Sequence, residues 1–474
     1  MPTEQPSSSP SPGLLATVRD ALSGSHDGAH HDFTEGPVGR SLLLLAIPMV
    51  LETLLESLFA VVDIFFVAHL GPDAVATVGL TESIEALVYA VAMGLGIGAS
   101  AVVARRIGEK DPRAAARAAG QAILLGVLCA IPFGALGVAY APELLGLLGG
   151  SPEVQRTGAS FTKVVMGGNL AVLLLFLINA VFCGAGDASI AMRSLWLASA
   201  CNIVLGPLFV FGVGPFPRLG VTGAAVGTTI GRSIGVLYQL TQLARRDGRF
   251  QLGWQDLVPH PQELWGVVKL SLVGVLQMLI GTSSWTGLVR VMAPFGSGVL
   301  AGYTISIRVI IFALLPCWGL SNAAATLVGQ SLGAKKPDRA EQAVRQAAVY
   351  NFVVLGGVSL LFEAFAPAIV SVFTSDPSVV PWAISGLRIV SAGFAFYGVG
   401  MVLTSALNGA GDTWTPTFLN LFCFWGAGVP AAWWLSRGAL GPNGVFLAIA
   451  GSFSLLALLA WFAFRRGAWK TREV

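Results

Sequence analysis

The sequence of 474 residues is 54% apolar and only 11% charged, with a mean hydropathy of +0.74. A water-soluble domain carries about 25% charge, so an ordinary solvent-facing surface is excluded, and a formal net charge of +3 gives no basis for a nucleic-acid partner. Five cysteines without a CxxC pair, all in or beside apolar stretches, argue against a disulfide framework or a cysteine-based metal site.

Residues 1–38 are rich in Ser, Pro and Gly and too polar to span a bilayer, and they are expected to form a disordered cytoplasmic tail. Within them His26, Asp27, His30, His31 and Asp32 have a spacing that suits weak transition-metal binding, although a solvated tail is the plainer reading. Spanning the hydrocarbon takes about 20 apolar residues. Such stretches recur near 41–68, 81–104, 117–140, 156–183, 189–212 and 219–243, and again near 264–293, 299–328, 339–366, 381–407, 413–435 and 442–464. The pattern predicts an all-α membrane protein of 12 transmembrane helices, with an N-terminal lobe over 39–245, a cytoplasmic linker over 246–263, a C-terminal lobe over 264–465 and a cytoplasmic tail over 466–474. No short signal segment precedes the first helix, which is expected to act as its own insertion signal.

Positive charge gathers at Arg105–Arg117, Arg245–Arg249, Lys335–Arg345 and Arg465–Arg472, after the second, sixth, eighth and twelfth helices. Lys and Arg are enriched in cytoplasmic loops, so these segments and both termini are expected on the cytoplasmic side.

One offset of 225 residues carries Gly71 to Gly296, Gly94 to Gly319, Gly108 to Gly333, Pro112 to Pro337 and Gln121 to Gln346. It also carries Gly184-Ala185-Gly186-Asp187 to Gly409-Ala410-Gly411-Asp412. Gly, Pro and Asp at one unbroken offset are hard to obtain by chance, so the chain reads as an internal duplication. Six helices per repeat give the repeats the same orientation, related by an axis along the membrane normal, with substrate expected between them.

Each ionisable residue inside the membrane costs at least about 2.5 kcal/mol on insertion and needs a reason. Glu52, Glu56 and Asp63 share one stripe of the first helix. Desolvation and mutual repulsion favour proton uptake by such acids, and a deprotonated one can hold Na⁺. Either event suits ion-coupled transport; a hydrogen bond at a helix interface is the simpler alternative. Glu82 and Glu85 open the second helix, where acids favour the helix dipole. Arg232, Arg290, Arg308 and Arg388 read as ion-paired or snorkelling charges.

Val62-Asp63, Phe65-Phe66-Val67 and Leu70-Gly71 together resemble the first-helix signature of the multidrug and toxic compound extrusion (MATE) family. So do Cys183-Gly184-Ala185-Gly186-Asp187, Asn202-Ile203-Val204-Leu205, Leu219-Gly220-Val221-Thr222-Gly223-Ala224-Ala225 and Gly329-Gln330-Ser331-Leu332-Gly333-Ala334, in order, across roughly 40–465. The resemblance implies two six-helix lobes forming a V-shaped cleft. It also implies a monomeric inner-membrane antiporter that exports organic, cationic amphipathic compounds in exchange for H⁺ or Na⁺, with no cofactor and no resident metal. By position Asp63 takes the cation-site role, with Asn202 and Thr228. Gly206 stands where the family pattern has a further Asp, which favours H⁺ over Na⁺ or makes Glu56 the replacement acid. The absence of Asp or Glu from 264–293 resembles the branch named for DNA-damage-inducible protein F.

Glu52, Tyr89, Gln277, Trp285, Tyr303, Trp318 and Tyr397 are the candidates to line a cleft for flat organic cations. An enzyme reading lacks acid clusters or a His/Glu metal site. The nearer rival is a lipid-linked oligosaccharide flippase, which requires Arg232, Arg290, Arg308 and Arg388 to face one cavity.

Overall fold

In the computed structural model the described residues are 14–23, 31–68, 70–245 and 248–472; the side chains of 14, 15, 23, 58–66, 68 and 72 lie outside that description. The first lobe comprises α2 (Val38–Ala68), α3 (Pro72–Gly108), α4 (Pro112–Ala139), α5 (Ala141–Leu147), α6 (Pro152–Gly167), α7 (Asn169–Ala185), α8 (Ala188–Phe211) and α9 (Val221–Ala244), preceded by α1 (Leu14–Ser23). The second comprises α10 (Pro261–Met292), α11 (Ser297–Gly333), α12 (Pro337–Ser371), α13 (Val380–Ser391), α14 (Phe394–Gly409), α15 (Trp414–Asn420), α16 (Val429–Ser436) and α17 (Asn443–Arg465). A π-helical segment, Leu421–Gly428, joins α15 to α16.

By length and composition ten of the described helices suffice to cross a membrane, and eleven do if α13 and α14, bent by 55°, form one span. The expected count of twelve falls short at α9, whose 24 residues include Thr222, Thr228, Thr229, Arg232, Gln239 and Gln242. Polar content, not length, sets it apart.

The duplication reappears in the contact between the lobes. A Cβ on Gly94 of α3 would lie 2.3 Å from the backbone of Val275 on α10, and one on Gly319 of α11 would lie 2.8 Å from the amide nitrogen of Val50 on α2. Likewise a Cβ on Gly108 would lie 2.0 Å from the Gln330 carbonyl oxygen, and one on Gly333 would lie 2.2 Å from that of Arg105. The offset that pairs the glycines also pairs Val50 with Val275 and Arg105 with Gln330. The lobes therefore meet through a self-complementary seam, one face used twice. Lys110 and Lys335, again one offset apart, both take left-handed backbone (φ 59° and 57°) in the turns that follow α3 and α11.

Further bonds cross the same seam. Ser271 Oγ donates to the Leu95 carbonyl (3.2 Å), Thr326 Oγ1 to that of Cys183 (3.1 Å), Gln330 Nε2 to that of Gly184 (2.9 Å) and Thr53 Oγ1 to that of Leu315 (3.4 Å). By position along the helices these contacts lie toward the arginine- and lysine-rich ends, except Thr53–Leu315, which falls at the middle of α2 and α11.

The expected disordered leader proves to be built in part. Thr17 and Ala21 of α1 are buried, Arg40 pairs with Asp20 at 3.1 Å, and Arg193 Nη2 donates to the Leu22 carbonyl. His26, Asp27 and His30 lie outside the described residues. Residues 31–36 then run beneath both lobes as a strap. Arg339 of α12 donates to the carbonyls of Phe33 (2.9 Å), Gly36 (2.7 Å) and Glu35 (2.7 Å), and Lys336 to that of Thr34 (3.0 Å). From the other side, Arg249 Nη2 of the linker donates to the His31 carbonyl (2.6 Å), and Lys110, in the turn after α3, pairs with Asp32 at 3.5 Å. Short polar Thr34 and Gly36 (φ 71°) let the backbone present these carbonyls outward.

The linker and the tail are docked as well. Gln121 of α4 donates to the carbonyls of Asp256 and Val258, both at 2.9 Å, and accepts from the His260 amide (3.0 Å). Trp469 is 1% exposed and stacks on Phe464, because its indole buries a large apolar area while Nε1 reaches the Phe464 carbonyl at 2.9 Å.

Acid is expected to loosen the strap. Burial, then the charges of Arg40 and Arg249, hold His31 below its ordinary value. The docked segment thus takes up a proton less readily than the free one, and docking weakens as pH falls below about 6.5. Partial burial raises Asp32, but hydrogen bonds from Thr34 and the charge of Lys110 prevail and leave it lowered, so its contribution is also lost toward acid pH. A spin label at Glu35 is expected to gain mobility between pH 7.5 and pH 5; constant mobility would contradict this account.

Candidate functional site in the first lobe

Helix α9 carries glycine at every fourth position, Gly223, Gly227, Gly231 and Gly235, and this stripe lies against α8. A Cβ on Gly231 would come within 2.6 Å of the Ala198 carbonyl oxygen, and one on Gly227 within 2.9 Å of the Gly206 nitrogen. Small residues at this spacing let membrane helices pack backbone to backbone. The close approach brings Asn202 and Thr228 together: Asn202 Nδ2 donates to Thr228 Oγ1 at 2.8 Å, and Thr228 Oγ1 donates to the Ala224 carbonyl at 3.0 Å. The pair anticipated from the sequence is thus assembled, while Gly206 itself leaves room beside Asn202, whose Oδ1 would be 3.3 Å from an added Cβ.

Arg232 follows Thr228 by one turn. Its Nη1 donates to Glu85 Oε1 at 3.0 Å, its Nη2 to the Tyr89 hydroxyl, and its guanidinium carbon lies 5.5 Å from the centre of the Tyr89 ring. The Arg232 and Glu85 side chains are 14% and 15% exposed, so the pair is largely desolvated. Removing one member of such a pair costs about 3–5 kcal/mol. The expectation of an ion-paired Arg232 holds, but Glu82 and Glu85 are not first-turn acids: α3 begins at Pro72, its first-turn acid is Asp73, and Glu85 lies well inside the helix, where its partner is Arg232. Tyr89, expected in a substrate cleft, is occupied here, with its ring edge-on to Phe176 at 5.3 Å.

The acids of α2 divide. Glu52 turns into the lobe and accepts from Asn179 Nδ2; Asn179 Oδ1 in turn accepts from Gln239 Nε2 (2.8 Å) and Ser194 Oγ (3.3 Å). Sequence reading passed over Asn179, Ser194 and Gln239; polar side chains inside otherwise apolar runs were the available signal. Glu56, one turn on, borders a small cavity of about 20 Å³ together with Phe176, Leu195, Ala198, Ser199, Asn202 and Arg232. Among the described residues Glu56 has neither a hydrogen bond nor an ion pair. Helix α2 continues through Asp63, but the side chain of Asp63 lies outside the described residues.

The expected aromatic cleft of the second lobe is only partly available. Tyr303 is 2% exposed and lies parallel to Phe446 in the core, with ring centres 6.2 Å apart, and Tyr397 stacks on Phe453 at 3.9 Å. Both therefore serve packing, because flat rings on helix faces that meet other helices are covered by them. Trp285 packs against the same core. Trp318 remains 40% exposed, whereas Gln277 is 5% exposed with a buried Oε1 that no donor among the described residues reaches. A larger groove of about 480 Å³, lined by Ala130, Gly134, Val138 and Asn169 among others, lies away from every charged group named here.

The four arginines do not converge. Arg388 pairs with Glu363 at 3.8 Å on a half-exposed surface, Arg290 and Arg308 are exposed, and none of the three borders the cavity of Arg232.

An internally duplicated helical bundle with a two-fold seam, and with partly buried acids and an arginine gathered in one lobe, defines a membrane transporter of two repeated lobes. The MatE family profile matches residues 48–208 and 275–434, once in each repeat, and the chain belongs to that family, a family of multi-pass membrane transporters. It is 24% identical over 444 residues to the probable multidrug resistance protein NorM of Thermotoga maritima, covering 92% of this chain and 94% of that protein. It is 25% identical over 403 residues to an FAD transporter of Shewanella oneidensis, covering 82% and 86%. Among solved structures, one described as the outward-facing conformation of a multidrug resistance MATE family transporter superposes with a TM-score of 0.86 at 25% identity, covering 93% of this chain and 98% of that one.

Proposed function

We infer that this transporter exports organic, cationic amphipathic compounds across the bacterial inner membrane in exchange for H⁺, with Na⁺ the alternative ion, and that both termini are cytoplasmic. The supporting observation is the first-lobe pocket, where a membrane carboxylate unpaired among the described residues, Glu56, lies beside the Asn202–Thr228 pair and across from Arg232. Acids without partners inside a membrane helix are the groups that load and release ions. The seam closes the end rich in Lys and Arg, which is the cytoplasmic end by the charge rule. On this reading the conformation faces outward. Gln277, Trp285 and Trp318 remain the second-lobe candidates for substrate contact, and the chain acts as a monomer. A flippase reading finds no support in the arginines, which are dispersed.

The test is dye efflux and drug susceptibility in an efflux-deficient bacterium, wild type against Asp63→Asn, followed by uptake into proteoliposomes under imposed pH or Na⁺ gradients. Asp63→Asn is expected to reduce efflux at least about tenfold, a loss equivalent to about 1.4 kcal/mol of coupling. Efflux intact in that variant would remove Asp63 from the mechanism.

A further inference from the structure

We propose that Arg232 is the resident cation of the first-lobe pocket: its guanidinium holds the place a metal ion would take, so the pocket admits water and excludes Na⁺. This rests on the antiporter reading above and specifies its ion site.

Three features of the pocket carry the proposal. The first is the ring of oxygens around the guanidinium. Glu85 Oε1 and the Tyr89 hydroxyl accept from it directly, and Glu56, Ser199 and Asn202 border the cavity on which it opens. Hard monovalent and divalent cations select oxygen cages of this kind. Here the centre of the cage is filled by a side chain.

The second is charge. Glu56 and Glu85 bring two carboxylates from separate helices, α2 and α3, toward one guanidinium from α9. Only Glu85 is in contact with it; Glu56 faces it across the cavity. A metal ion entering that cavity would stand beside a fixed like charge in a poorly solvated site, where such repulsion is strongest. The neighbouring Glu52 does not compensate, because it is turned away onto Asn179.

The third is size. A cavity of about 20 Å³ bordered by a carboxylate, a hydroxyl, an amide and guanidinium N–H groups meets the requirements for one ordered water with several polar partners. Two guanidinium nitrogens are engaged by Glu85 and Tyr89, which leaves other N–H groups to face that water and, through it, Glu56. A water in this position would be held between Glu56 and Asn202, itself fixed by Thr228, and could bring a proton to Glu56 or take one from it where a metal ion could not enter.

The proposal makes a gain-of-binding prediction. Arg232→Met removes the tethered cation but leaves the oxygens of Glu56, Glu85, Tyr89, Ser199 and Asn202 around the vacated volume. The purified full-length variant is expected to melt at least about 3 °C higher in sodium chloride than in potassium chloride at equal ionic strength, because a ligand that binds only the folded state raises its midpoint. The wild type and Arg232→Lys, which keeps a cation in place, are expected to melt alike in both salts. Should Arg232→Met fail to fold for want of a partner to Glu85, Glu85→Gln/Arg232→Met removes the stranded acid and is expected to show a smaller shift of the same sign. A saturable, Na⁺-specific shift in the wild type, or none in either methionine variant, overturns the proposal. Since these measurements involve no transport, they stand apart from the efflux test of Asp63→Asn.

Discussion

Gly94→Val is expected to abolish export while leaving each lobe folded. A Cβ at Gly94 would sit 2.3 Å from the Val275 backbone, which cannot swing aside as a side-chain tip can. The clash exists only while the seam is shut, so the substitution acts on one conformation. Overpacking of this kind costs about 1–3 kcal/mol or more, and every 1.4 kcal/mol depopulates the closed-seam state about tenfold. Labels at Glu109 and Asp338, exposed beside the tips of α3 and α12, are expected to move apart, and dye efflux to fall by at least about tenfold. Gly319→Val, the image of the first change, meets Val50 and is expected to behave in the same way. An unchanged label distance together with normal efflux would show that the seam yields without cost.

A second large effect is expected at Gly231. Valine there would press on the Ala198 carbonyl, 2.6 Å from the added Cβ, and drive α9 from α8. The displacement separates Asn202 from Thr228 and draws Arg232 away from Glu85 and Tyr89, so one substitution disturbs the whole pocket. The cost is about 1–3 kcal/mol from overpacking, with more added if the desolvated ion pair opens. Gly231→Val is expected to melt several degrees lower and to lose most of its efflux at temperatures where it remains folded. Gly266, beside which nothing lies within 4 Å, provides the control, since Gly266→Ala meets no neighbour. Full activity in Gly231→Val would mean that the close α8–α9 approach is dispensable.

Much of this architecture could be read from the sequence, because the physics behind it is local. Apolar runs of bilayer length announce helices, and the repeated Gly, Pro and Asp positions announce two lobes, since each marks a turn or close approach that the backbone must make in both copies. Asn202 and Thr228 could be paired because a recognised motif fixed their positions on neighbouring helices. The connections of Arg232 were harder to see. Its need for an acid was evident, but Glu85 and Tyr89 lie more than a hundred residues away, and only the rotation of α3 against α9 selects them. Tyr303 and Tyr397 show the opposite failure, since an aromatic ring looks the same in a sequence whether a cleft or a core receives it. The leader misled for a different reason. Its composition lacks the apolar area to fold alone, yet residues 31–36 are held by backbone carbonyls, which every sequence possesses and none advertises.

The self-complementary seam also bears on how such a chain arose. Val50 meets Gly319 and Gly94 meets Val275, so each repeat carries both the knob and the hollow that its counterpart needs. A half-length ancestor bearing one of each would have been a ready-made homodimer, and fusion of two copies would have required only a connector such as 246–263. Once the copies were joined, they were free to diverge. The first repeat now keeps the membrane acids, Arg232 and the Asn202–Thr228 pair, while the second retains the matching surface of the seam.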